Sequence, residues 1–525
     1  MPKFEEAPRH AKPDSPLTSA ARNNAAHEVC THADRSPRGA RAAMTGLPVK
    51  TKRRPLPLLL AILHNIGSAV GAKLAGLLLG IVTYGLLTRN LGATGLGRYR
   101  TVLTLLLFAG VAFDFGLYSI MLRDLSSPDA NPRRILGNAV ALRLVATSCA
   151  TVLLALGVAA TDADAAILTG VMTAGIGWIG LQVSELLRAL FQLRLAQHQA
   201  AIAEGVGALA TLALVAALAS LQWGTNSMLA ATAAGFCCTA AVSWRFANRL
   251  EPFRLRFEWR VWRGFIIAGV PLAGSLVLQT IQLRADVLLL SLLRSPAELG
   301  LYDAPLKLYE LLFAVPYLFG GLMLPFYIRD LDRRRGSPAP RLNAALSVSL
   351  IFSMLTFAIL VECAQPIVVL FAGARFEASA EPLRILAASA IFVGVTGTLR
   401  FAAVAMHQQT RILRADAIGV CAAVAAHAIL IPRYGIIGAA FGKLCGDVVT
   451  AVAAGVIMRS QLSRTLILTA VVSLTAAVCL IAAVELAVSI DIPWFVASAI
   501  CAPLVLGAVL LVPRVRRSLA PLGAN

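Results

Sequence analysis

From residue 64 onward the chain is a succession of apolar runs of about twenty residues, nearly all closed by a short stretch carrying arginine, proline or glycine. A helix rises 1.5 Å per residue, so a run of that length is what a helix needs to cross the roughly 30 Å hydrocarbon layer of a bilayer. Hydrophobic residues make up 58% of the 525, charged residues 14%, and the mean hydropathy is +0.76, a balance that no soluble domain of this size accommodates. The pattern predicts an all-α polytopic membrane protein of about 14 transmembrane helices. The first six are expected at about 64–88, 98–121, 137–159, 165–187, 200–221 and 227–244, the next six at about 264–292, 303–327, 342–362, 384–404, 414–431 and 437–457, and a last pair at about 466–487 and 493–512. The run Ile367–Phe371 is too short to span and is expected to pack at the outer surface.

The formal net charge of +20 is read as topology. Basic residues punctuate the apolar runs along the chain instead of gathering on one soluble domain, so a nucleic-acid partner is not expected. Under the span count above, one side of the membrane receives Arg133, Arg134, Arg245, Arg249, Arg254, Arg256, Arg260, Arg263 and Arg329 among many others, while the opposite loops hold few. By the positive-inside rule both termini are cytoplasmic. Residues 1–54, rich in Ala, Arg, Pro and Ser and without an apolar core, read as a disordered basic cytoplasmic tail, with translation starting at Met1 or at Met44. The nine cysteines and seven histidines are scattered, and no two share metal-ligand spacing, so no metal site is expected.

A short phrase recurs at an offset of 203, Leu96-Gly97-Arg98-Tyr99 and Leu299-Gly300-Leu301-Tyr302, each time where one apolar run gives way to the next. An even number of spans separates the copies. They therefore have the same orientation, and the expected architecture is two six-helix lobes, residues 55–263 and 264–458, related by a pseudo-two-fold along the membrane normal, followed by a C-terminal pair within residues 459–525.

The stretch Leu87-Thr88-Arg89-Asn90-Leu91-Gly92 through Gly97-Arg98-Tyr99, with Phe113-Asp114-Phe115-Gly116-Leu117, resembles the opening of Wzx-type oligosaccharide flippases of the multidrug/oligosaccharidyl-lipid/polysaccharide exporter superfamily. Pro271, Arg284-Ala285-Asp286 and Glu298-Leu299-Gly300-Leu301-Tyr302-Asp303-Ala304 resemble the start of that family's second half, and Ile431-Pro432-Arg433-Tyr434-Gly435-Ile436-Ile437-Gly438 is similar to the loop entering its twelfth helix. The resemblance covers about residues 64–512. It implies alternating access between two lobes in a bacterial inner membrane, with an isoprenyl-diphosphate-linked oligosaccharide carried from the cytoplasmic to the periplasmic leaflet for surface polysaccharide biosynthesis. It implies no cofactor, allows coupling to H+ or Na+, and leaves room for polysaccharide-assembly proteins as partners beside the lipid substrate and the membrane lipid.

A diphosphate and its sugars cannot enter hydrocarbon unescorted, so such a protein needs a hydrated, preferably cationic cavity. Lys73, about nine residues into the first span, is the best-placed lone cation, with snorkelling to the inner surface as the competing reading. Arg284 and Asp286 lie within the seventh span and project about 200° apart, so each needs its own partner, either a neighbouring helix or substrate and water. Lys307 with Glu310, and Lys443 with Asp447, have helical spacing that lets each pair neutralise itself on one face. Asp114 is read as accepting a bond from a basic neighbour or carrying a coupling proton, and Arg98 and Arg100 as attracting phosphate at the outer mouth or snorkelling. Arg143, Glu185, Glu204 and Arg400 are read as interfacial groups without special role.

Gly67, Gly71, Gly76 and Gly80 give the first helix small-residue faces for close helix packing, while Pro271, Pro316 and Pro325 favour bends. An ion-coupled drug or cation antiporter of the same superfamily is the alternative reading, with Asp114 as its acid. A membrane glycosyltransferase or glycan polymerase is the enzymatic one. The latter lacks the large outer loop and paired carboxylates it would need, and no Gly-Lys-Ser/Thr phosphate loop is present, so no catalytic residues are expected.

Overall fold

A computed structural model describes residues 58–128, 130–161, 164–332, 338–463, 465–489 and 493–523. The N-terminal tail lies outside these, as do the side chains of Lys73, Gly67, Gly71, Pro271 and Pro316. Among the described residues every regular element is helical. In chain order these are α1 (Leu58–Ala112), α2 (Leu117–Leu125), α3 (Pro132–Ala159), α4 (Ala165–Leu193), α5 (Gln197–Ser220), α6 (Thr225–Leu250), α7 (Trp259–Leu293) and α8 (Pro296–Asp332). There follow α9 (Ala339–Glu362), α10 (Ala364–Ala372), α11 (Ala380–Ala405), α12 (Gln409–Ile457), α13 (Thr465–Ser489), α14 (Trp494–Leu511) and α15 (Pro513–Gly523), with short 3-10 turns at Ala374–Ser379 and Arg459–Gln461.

Among the described residues ten helices are long and apolar enough to cross a bilayer, or eleven when the bent pair formed by α1 and α2 counts as one. Three features separate this from the expected fourteen. Both α1 and α12 are continuous in hydrogen bonding but broken in direction, at Gly92 (φ 63°, ψ −174°) and at Gly435 (φ 54°, ψ −127°), backbone conformations that are natural only to glycine. The third is α8, which lies outside either count. The two breaks have counterparts in the other half of the chain: Gly92 plus 203 is Ser295, which joins α7 to α8, and Gly435 minus 211 is Gly224, which caps α6.

The recurring phrase is where the two halves touch. A Cβ added to Gly97 would lie 1.7 Å from the carbonyl oxygen of Pro296, and one added to Gly300 would lie 1.9 Å from that of Ala93. Ala93 and Pro296 are themselves 203 apart, so this is one contact made twice, as a local two-fold between α1 and α8 requires. A second duplicated contact is internal to each lobe. A Cβ on Gly207 of α5 or on Gly419 of α12 would lie 1.8 Å from the hydroxyl of Thr239 or of Thr450 respectively. Each threonine bonds the glycine carbonyl four residues before it, at 3.1 Å to Gly235 and 2.8 Å to Gly446. The offset has grown to 211 and 212. The interval contains α10 and its 3-10 turn, which make the connection between third and fourth helices longer in the second lobe than in the first.

Helix α7 belongs to both lobes. Trp262 and Phe265 in its first turns are buried with Leu117, Leu136 and Leu186, while Val287 and Leu290 near its end are buried with Tyr302, Ile431 and Ala439. Gly269 lies between, so close to Phe115 that a Cβ there would stand 1.9 Å from its carbonyl oxygen. The short α10 buries Ala364, Val368 and Ala372 against Tyr84 and Leu96 instead of spanning. Helix α13 packs on α9 and carries α14, and α15 returns to α9.

Candidate substrate cavity

Between α1, the α4–α5 hairpin and α8 lies a cavity of about 760 Å³. Its wall on the α1 side is made by what is missing: Gly76 and Gly80 line it, and a Cβ on either would meet nothing within 4 Å. The expectation that these glycines pack a helix therefore fails for Gly76 and Gly80, which give room to the cavity. Gly205 of α5 does the same from the opposite wall. The polar lining consists of Tyr84, Arg188, Gln197 and Glu204 from the first lobe and Lys307 and Glu310 from the second.

Glu310 also lines a second cavity of about 280 Å³ inside the second lobe, together with Arg284, Arg400, Tyr309, Lys443 and Asp447. Its carboxylate is shared. Lys307 donates to one oxygen at 2.9 Å and Arg284 of α7, 26 residues earlier in the chain, binds the other. Two cations on one acid leave this triad with a formal charge of +1, at the boundary between the two cavities.

Asp286, two residues from Arg284, points elsewhere. It is buried, accepts from Tyr302 at 2.8 Å and from the backbone N–H of Val287 at 2.8 Å, and lies 3.8 Å from Lys443. The spacing argument that Arg284 and Asp286 need separate partners describes both. It misassigns Lys443, whose ion pair is with Asp286 across the helix interface and not with Asp447 four residues on. The Lys443 ammonium sits 5.6 Å from the centroid of the Tyr309 ring, and Asp447 instead accepts from Ser389 and, at 3.3 Å, from Tyr309.

Arg100 is not at an open mouth. It pairs with Asp303 of α8 at 2.7 Å, the two side chains being 11% and 1% exposed, and Tyr84 donates to the other Asp303 oxygen at 2.8 Å. The Arg100 contact is ionic and lacks hydrogen-bond alignment. Asp303 is thus gripped by α1 from both sides of its Gly92 break, next to the reciprocal glycine contact. Arg98 faces away and pairs with Asp164 at 2.6 Å.

Arg143 corrects another expectation: it is buried and binds Asp114 and its carbonyl, against a third cavity of about 240 Å³ that Glu185 also lines. Arg400 pairs with Asp416 at 2.8 Å, and Arg188 lies 3.0 Å from Glu185 and 3.4 Å from Glu204. The residues that sequence reasoning passed over, Glu204 and Arg400 as interfacial and Arg188, Tyr84 and Asp303 without a role, all line a cavity or join the lobes. Only the Asp303 position carried a signal, an acid directly after the recurring Leu-Gly-Leu-Tyr. The expectation of a cationic cavity gives way to a nearly balanced one, in which Arg188, Arg284, Lys307, Arg400 and Lys443 are each paired with an acid. Among the described residues no group of three or more potential metal ligands forms.

The family model described as polysaccharide biosynthesis protein matches residues 62–320. Among solved structures the chain is similar to the lipid II flippase MurJ in an inward closed conformation, with a TM-score of 0.71 and 15% identity over 84% of this chain and 97% of that one. It is also similar to a multidrug resistance MATE family transporter of the MOP superfamily. The inward-facing conformation gives a TM-score of 0.53 and 14% identity, covering 74% of this chain and 94% of that one. The outward-facing conformation gives 0.52 and 14%, covering 76% and 95%. No curated protein matches in sequence.

Proposed function

We propose that this chain, a membrane transporter with the fold of the multidrug/oligosaccharidyl-lipid/polysaccharide exporters, carries an isoprenyl-diphosphate-linked oligosaccharide from the cytoplasmic to the periplasmic leaflet. The observation that carries the reading is the inter-lobe cavity of about 760 Å³ with a polar, charged wall inside an otherwise apolar bundle. Hydrocarbon offers nothing to a diphosphate or to sugar hydroxyls, whereas this wall offers both donors and acceptors.

In this reading the arginine-poor end, where Gly97 meets Pro296 and Arg100 meets Asp303, faces the periplasm and is closed. The diphosphate enters from the cytoplasmic side and engages Lys307 and Arg284, which already share one carboxylate and have donors left over. An anion binding there weakens their hold on Glu310, and through α8 that change reaches Asp303, seven residues or two turns away, about 10 Å by helical rise. Loss of the Asp303 grip would let the lobes part at that end. Coupling to H+ or Na+ is placed, as part of the same proposal, at Asp447, which takes bonds from two hydroxyls and has no ion pair within 4 Å among the described residues.

The antiporter reading keeps one supporting observation, the near balance of charge, since Glu204 and Glu310 could face a cationic drug. Deletion of the gene followed by leaflet-resolved analysis of lipid-linked sugars separates the two. The flippase reading expects precursors to accumulate on the cytoplasmic side and to clear on complementation. Unchanged precursors with altered drug tolerance would refute it in favour of the antiporter.

A further inference from the structure

The connection from α6 to α7 is unlike the other turns. Residues 252–258 run without regular structure between two helices, yet they are pinned to the start of α3. The N–H of Arg256 donates to the carbonyl of Gly137 at 3.2 Å, and the N–H of Glu258 donates to the Asn138 side chain at 2.9 Å. A Cβ on Gly137 would lie 2.1 Å from the carbonyl oxygen of Arg254, so the strap lies directly on that helix. Phe253 is buried as its anchor, its ring centroid 4.9 Å from that of Trp244 in a tilted contact.

What the strap presents outward is chemically mixed. Leu255 is 51% exposed, Phe257 69% and Trp259 60%, and they alternate with exposed Arg254, Arg256 and Arg260. Exposed Arg245, Arg249 and Arg263 flank them. The local acids are already taken. Glu251 pairs with Arg133 at 3.5 Å and Arg194 at 3.0 Å, and Glu258 accepts from Arg134 at 2.8 and 2.5 Å, bonds that hold its carboxyl below the ordinary range. Among the described residues none of the six arginines between positions 245 and 263 has a side-chain hydrogen bond or an ion pair.

Six unpaired guanidiniums interleaved with large apolar side chains suit neither water nor hydrocarbon. They suit the headgroup layer, where phosphates meet the first methylenes of the acyl chains and where aromatic rings and arginines concentrate. Orientation by the positive-inside rule needs the charges but not the exposed Leu255, Phe257 and Trp259, nor a backbone fixed so that they stand in a row. We propose that the α6–α7 strap is a binding surface for anionic phospholipid headgroups of the leaflet it faces, with the arginines on phosphate and the three apolar side chains among the acyl chains. Because the strap leads into α7, which packs into both lobes, bound lipid would hold the point about which the lobes are connected.

The test is native mass spectrometry of the full-length protein released from detergent containing equal phosphatidylglycerol and phosphatidylcholine, with Arg254→Gln/Arg256→Gln and Leu255→Gln/Phe257→Gln variants. Each arginine near an anionic surface is worth about fivefold in binding, so wild type should retain phosphatidylglycerol in clear excess and the first variant should lose roughly tenfold or more of it. The second variant, with its charge intact, should weaken both lipids. Arg254→Lys/Arg256→Lys should keep most of the preference and serves if the glutamine variant inserts poorly. Equal retention of the two lipids by wild type, or an unchanged preference in the glutamine variant, would overturn the proposal. Inorganic phosphate at matched ionic strength should not displace the lipid. Displacement would mean a free-anion site instead.

Discussion

Glu310 holds two cations at once, and that sharing makes specific demands on substitution. Arg284→Ala leaves Glu310 paired with Lys307, and Lys307→Met leaves it paired with Arg284, so each single variant should insert and fold while losing transport. Membrane yield and in vivo complementation measured side by side check this. The double variant strands an acid within the bundle, which costs about 2.5–3.5 kcal/mol on insertion scales, and its yield should fall well below that of either single variant. At the other grip, Asp303→Asn keeps an acceptor for Tyr84 but leaves Arg100 without its counter-charge. Cysteine accessibility near Gly97 from the periplasmic side should then rise. How far such partners could be foreseen depends on where they sit. The Lys307–Glu310 pair was legible because both ends lie on one helix at i,i+3. Lys443 was misread because i,i+4 spacing says nothing about an acid brought in from α7, and Arg143 because its partner Asp114 lies on another segment 29 positions away.

Helix α1 is shaped by glycine in two ways. At Gly92 the backbone takes a conformation closed to other residues, and at Gly76 and Gly80 the absent side chains open the cavity. The substitutions should therefore behave oppositely. Gly92→Ala or Gly435→Ala forces a side chain into a left-handed conformation and should cost about 1–3 kcal/mol, read as a lower melting temperature in detergent. At Gly80 an added Cβ meets nothing within 4 Å and faces the cavity, so Gly80→Leu should leave melting unchanged and block transport by filling that space. The regular spacing of these glycines was visible in the sequence, but what lies opposite them was not, because periodicity reports a face and not its neighbour. The breaks in α1 and α12 were legible as junctions between apolar runs. That each junction is a single left-handed glycine inside an otherwise continuous helix was not, since a glycine in a helical run is read equally well as a packing contact.

At the scale of the molecule, the duplication suggested by a four-residue phrase is physical: Gly97 and Gly300 pack on carbonyls that are equivalent under the same offset. The second duplicated contact, Gly207 on Thr239 and Gly419 on Thr450, escaped the sequence because the intervening insertion changes the offset. The architecture was doubled but the charges were not. Arg284, Glu310, Lys443 and Asp447 all belong to the second lobe, and the first contributes Arg188 and Glu204. A cavity with unlike walls from the two lobes suits the alternating access to a lipid-linked anion proposed above. The most direct measurement is flipping by the purified protein in proteoliposomes, using a lipid-linked oligosaccharide whose sugars are trimmed by a glycosidase that cannot cross the membrane. If the chain flips this substrate, vesicles with wild-type protein lose nearly all of it to the enzyme while protein-free and Arg284→Ala vesicles retain the half in the inner leaflet. Retention of that half by wild-type vesicles would contradict it.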